Sequence, residues 1–250
     1  MKVFRTLLRR ELGVCFGVLN GYVIVSAALF LVGVCFYDLV YRLNTQPTDM
    51  TLTEMFFFSW YFWLILLLST PLITMRTFAH EKSTGTYETL MTAPVSDVEV
   101  LLSKFCGALF FHAIIWLPVF ISMLLLRFYI HNPLVVNVTS ILTTYFAVLM
   151  VGALYISIGC FGSALTRSQI VAGMVSFTLG MGIFMLSVNV LFVVPEPGQL
   201  SLILAKISLA DYMRDCSRGI LDSRPFLFIL SSTFLFLFLT WRVLEWRRWR

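Results

Sequence analysis

The side chains able to do covalent or metal chemistry are few in this 250-residue chain, and their spacing argues against both kinds. His80, His112 and His131 lie far apart. Cys15, Cys35, Cys106, Cys160 and Cys216 are scattered, with no CxxC pair and no Cys/His spacing suited to zinc. Cysteines set in apolar runs are read as small packing residues. No GxxxxGK[ST] phosphate loop occurs, so the chain is not expected to hydrolyse ATP, and HExxH, GxSxG and EF-hand patterns are missing as well. Inside apolar runs stand His112 and Asn189. Each is a candidate intramembrane polar site. The competing readings are a position near the inner interface for His112 and a helix–helix hydrogen bond for Asn189.

The densest polar grammar lies in MRTFAHEKSTGTYETLMTAPVSDVEVLLSK, residues 75–104. Gly85 is expected to start a short helix with Glu88 in its first turn, where a negative charge suits the helix dipole. Ala93-Pro94 ends that helix, because a residue preceding proline avoids the helical region. Ser96 and Glu99 have capping-box spacing, with Val95 and Val100 as the matching hydrophobic staple. The pattern is a short helix, a hard turn and a fresh helix running into the next apolar segment. Such a helix, held beneath a membrane by two spans, is a mechanical handle; the plainer alternative is a capped connector.

The elements that hold this segment follow from composition. Hydrophobic residues make up 59% of the chain and charged ones only 12%, with a mean hydropathy of +0.90. Soluble domains carry roughly 25% charged residues, so the solvent for most of this surface is lipid. Windows free of Asp, Glu, Lys and Arg run over 12–37, 55–75 and 105–126, then about 140–161, within 168–195, and 225–241. Each is near the ~20 apolar residues that cross a bilayer core, where only helices satisfy the backbone. The expected fold is therefore an all-α integral membrane protein with six transmembrane helices, forming a single domain over 1–250.

Lys and Arg set the orientation. With the N-terminus inside, the cytoplasmic segments hold Lys2, Arg5, Arg9, Arg10, Arg76, Lys82, Lys104, Arg167, Arg242, Arg247, Arg248 and Arg250. Outside stand Arg42, Arg127, Lys206, Arg214, Arg218 and Arg224, so both termini are expected to be cytoplasmic. Residues 1–16 alternate apolar and basic positions at helical spacing and read as an interfacial helix rather than a cleaved signal peptide. The net charge of +5 is split between the ends. It points to membrane lipid as partner and not to nucleic acid. Gly13, Gly17 and Gly21 form a small-residue ladder, read as close packing within the chain or, less favoured, as a subunit contact. The outer loop 194–224 is either an amphipathic gating helix or a solvated cap.

The stretch TMRTFAHEKSTGTYETLMTAPVSDVEVLLSKFCGAL resembles the segment after the second span in ABC-2-type permeases, nearest the branch associated with gliding motility and copper-enzyme maturation. The matching positions are Glu81, Lys82, Gly85-Thr86, Glu88, Leu90, Pro94-Val95-Ser96-Asp97 and Lys104, and a second match places Arg218-Gly219 and Asp222 before the last span. His80 stands where the family has an acid, and Ser103 where it has a glycine. The resemblance implies a coupling helix near 85–91 seated on a separate ATPase subunit, which would bind ATP and Mg. The contact and shape elements would be Glu81, Gly85, Thr86, Glu88 and Pro94, with Arg167 as a secondary contact. It also implies a second permease subunit, in a homo- or heterodimer, and a bacterial inner-membrane location. The expected function is the permease subunit of an ATP-binding-cassette exporter. A membrane scaffold of a larger machine and a secondary transporter are the alternatives, the latter lacking the paired intramembrane charges or broken helices it would need.

Overall fold

A computed structural model describes residues 2–17, 19–45, 51–87, 95–129, 137–192 and 208–248. The described elements are helices: α1 (Lys2–Gly17), α2 (Leu19–Thr45), α3 (Leu52–Phe58), α4 (Trp60–Thr74), α5 (Ala79–Thr84), α6 (Asp97–Tyr129), α7 (Val138–Leu165), α8 (Gln169–Phe192), α9 (Leu209–Ser217) and α10 (Ser223–Arg248). Six segments, in α2, α4 to α5, α6, α7, α8 and α10, are long and apolar enough to span a membrane. The chain is an all-α, multi-pass membrane protein.

Local sequence accounts for several boundaries. Glu99 N–H donates to Ser96 Oγ at 3.3 Å, and the Glu99 carboxylate accepts from the Ser96 amide and hydroxyl, closing the expected capping box ahead of α6. Val100, the staple partner, is buried. Asn137 caps α7 through its side chain, which accepts from Thr139 N–H at 3.1 Å. The second apolar window is not one continuous rod. Ser59 interrupts it in extended conformation, its hydroxyl bonded to Phe56 carbonyl at 2.6 Å, and separates α3 from α4.

α7 is the centre of the bundle. It packs against α4, α6, α8, α9 and α10, and 72% of its apolar window is buried, against 22% for α2, α8 and α10. Glycines allow its neighbours in: a Cβ on Gly152 would run into the His112 ring of α6, and one on Gly159 into Thr74 of α4. The expected ladder does not work this way, because positions 13 and 17 have open space where a Cβ would stand. The close approach of α1 to α6 uses Gly107 instead, where an added Cβ would stand only 3.1 Å from that of Glu11. With 33 residues, α6 is about 50 Å long and exceeds a ~30 Å hydrocarbon core. Its first two turns, which carry Asp97, Glu99 and Lys104, meet α1 through the Lys104–Glu11 pair.

Candidate functional site

Beneath the bundle lies α5, six residues long, which is too short to be stable alone. Its N-terminal amides are satisfied from another span: Ser163 Oγ of α7 accepts from Phe78 N–H at 3.1 Å and Ala79 N–H at 3.0 Å. Lys82 Nζ donates to the carbonyl of Ala164, placing a cation at the C-terminal end of α7, where the helix dipole favours it. His80 Nδ1 meets Gln169 Nε2 of α8 at 2.9 Å. Gly85 ends α5 at φ 76°, a left-handed conformation that glycine takes without steric cost. Gly85 is thus the stop of α5, and helix resumes directly after it at Thr86 and Tyr87, where a helix starting at Gly85 was expected.

The inward face of α5 carries a buried charge cluster. Glu81 Oε1 pairs with Lys104 Nζ of α6 at 2.9 Å and with Arg10 Nη2 of α1 at 2.8 Å. The same Lys104 ammonium reaches Glu11 Oε1 at 3.1 Å and lies 5.5 Å from the Phe78 ring centre. The Lys104 side chain is only 2% exposed and that of Glu81 10%, so solvent screens the pair little. Two acids and two bases make the cluster neutral. Removing one member would strand a buried charge, at a cost of about 3–5 kcal/mol. α1, α5 and α6 are thereby tied at one point.

The sequence-expected residues divide accordingly. Glu81 is turned inward, into the cluster; Gly85 and Thr86 are exposed. Arg167 is exposed in the turn between α7 and α8, two residues from the Gln169 that holds His80. Glu88 and Pro94 lie outside the described residues, as does most of the expected helix over 85–91. His112 is fully buried between α6 and α7, about 12 Å farther along α6 than Lys104. Asn189 belongs to α8, with its side chain outside the described residues. Among the described residues, no group of His, Cys, Asp or Glu is arranged to hold a metal ion.

A second cluster, at the opposite end, pins α9 to α3. Glu54 Oε1, in a residue 4% exposed, accepts from Arg214 Nε at 3.1 Å and from Arg218 Nε and Nη2 at 3.1 and 2.7 Å. Thr53 Oγ1 donates to Ser217 carbonyl at 2.7 Å, and Thr143 Oγ1 to Cys216 carbonyl at 2.7 Å. α9 turns Leu209, Ala210, Tyr212, Met213 and Cys216 into the bundle, which gives the amphipathic reading of the outer loop its substance over this stretch; 194–207 lie outside the described residues. Burial opposes ionisation of Glu54, but the hydrogen bonds from Arg218 and Arg214 outweigh it and hold the carboxyl below the usual range. Asp215 is shifted the other way, first by burial and then by the nearby Asp211 charge.

Sequence spacing missed both clusters because their partners lie 23 to 164 residues apart. Signals existed: Glu11 is the acid of a basic N-terminus, and Glu54 the acid at the head of the second apolar window. No curated protein matches the chain. A family model described as "ABC-2 family transporter protein" matches residues 18–210.

Proposed function

This chain belongs to the ABC-2 transporter family, and we propose that it is the membrane-spanning subunit of an ATP-driven exporter whose ATP, with Mg, is consumed by a separate ATPase subunit docked under α5. The observation that carries this reading is the anchoring of α5. Gly85 and Thr86, just past its end, and Arg167 in the turn between α7 and α8 are exposed, while α5 itself is fixed to α1, α6, α7 and α8. A push on α5 is handed to four helices. Breaking a buried pair of the fixing cluster would strand a charge at a cost of about 3–5 kcal/mol, more than the 1–3 kcal/mol typical of coupling between sites. The link would therefore move as a unit before it broke.

In this reading Glu81 is a positioning residue that transmits force inward, and Thr86, Glu88 and Arg167 form the contact with the motor. Pro94 would fix the turn that returns the chain to α6. A second permease subunit, identical or related, completes the path, and the assembly sits in a bacterial inner membrane. Co-expression with the products of its genomic neighbours tests the proposal, which expects a stoichiometric partner carrying a phosphate loop. Glu88→Lys should weaken ATPase pull-down at least tenfold with membrane insertion intact. Unchanged pull-down and unchanged ATPase stimulation would remove the coupling assignment.

A further inference from the structure

A groove of about 680 Å³ opens at the inner end of α10, lined by Phe161 of α7 and by Leu239, Arg242, Val243, Glu245 and Trp246. That volume falls in the range of ligand sites, roughly 300–1,000 Å³. Its apolar end lies at bilayer depth: Leu239 is about 13 Å along α10 from Arg248. At its mouth the Arg242 guanidinium lies 5.5 Å from the Phe238 ring centre and 5.3 Å from that of Trp241, and bonds Glu245 Oε2 at 3.0 Å. Residues 242–250 hold four arginines (Arg242, Arg247, Arg248, Arg250) against one acid, Glu245. An apolar slot with the Arg242 guanidinium at its polar edge, on a helix end that is net basic in sequence, is complementary to one kind of molecule.

We infer that the groove holds an anionic phospholipid of the inner leaflet, an acyl chain lying along Phe161, Leu239 and Val243 and the headgroup phosphate facing Arg242. A free anion has no use for the apolar length, and a zwitterionic lipid gains less from the Arg242 edge. Each basic residue near an anionic headgroup layer contributes about 1 kcal/mol, a factor of roughly five in affinity. The site bridges α7 and α10, so the lipid would brace the central span against the last one.

Native mass spectrometry of the full chain, released from nanodiscs of equal phosphatidylglycerol and phosphatidylcholine, tests this. One phosphatidylglycerol should be retained in preference to phosphatidylcholine. Arg242→Gln should cut that preference about fivefold, and Val243→Trp, which fills the slot, should lower retention of both lipids. Glu245→Gln should raise the preference, a gain that misfolding cannot mimic. Equal retention of the two lipids by the native chain overturns the inference. So does a retention that Val243→Trp leaves unchanged for both lipids, which would mean ordinary annular lipid.

Discussion

Lys104 is the residue on which the inner cluster turns, because a single buried ammonium serves both Glu11 and Glu81. Lys104→Met should lower stability by about 3–5 kcal/mol, or roughly 10 °C in melting temperature, read by thermal unfolding in detergent. Adding Glu11→Gln and Glu81→Gln should restore much of the loss, since the stranded carboxylates are then gone; a triple variant no better than the single one would refute the charge-based account. At the outer cluster the two carboxyls have opposite signs. Glu54 has a lowered pKa, so its contribution is complete above the ordinary glutamate value and disappears as pH falls through the lowered one. Glu54→Gln should cost about 2 kcal/mol at neutral pH and little in strong acid. Asp215 has a raised pKa, so its ionisation opposes folding as pH rises through that value. Asp215→Asn should stabilise the chain by a few tenths of a kcal/mol at neutral pH, measured in the same melts.

Among elements, α5 and α7 carry the sharpest expectations. Gly85→Ala places a Cβ at φ 76° and should cost about 1–2 kcal/mol, whereas asparagine visits that conformation routinely. Gly85→Asn should therefore keep ATPase stimulation that Gly85→Ala loses; equal loss would show that shape at this hinge does not matter. Gly152→Ala drives a methyl into the His112 ring and should cost about 1–3 kcal/mol by overpacking α6 against α7. The capping box of α6 was legible because its partners are three residues apart. The break at Ser59 was not, since hydropathy averages over one serine in an apolar run. The small-residue spacing at 13 and 17 misled for a related reason. Glycine spacing shows where helices can approach, and the partner helix decides where they do.

For the whole molecule, charge-free windows located all six spans, because lipid imposes a length and a composition that every span must meet. What they did not contain was the arrangement of those spans, which rests on pairings between residues far apart in sequence. Orientation can be read directly: a cysteine at Arg167 should react with impermeant maleimide only from the cytoplasmic side, and one at Asp222 only from the outside. Labelling of both from one face would overturn the topology. The borrowed cap of α5 bears on how the subunit is made. Ser163 is encoded 84 residues after the amide of Ala79 that it satisfies, so α5 leaves the ribosome long before its cap does. A nascent chain arrested short of the fourth span carries no capped α5, so an ATPase docking as proposed above would find its seat only on subunits whose translation has passed that point.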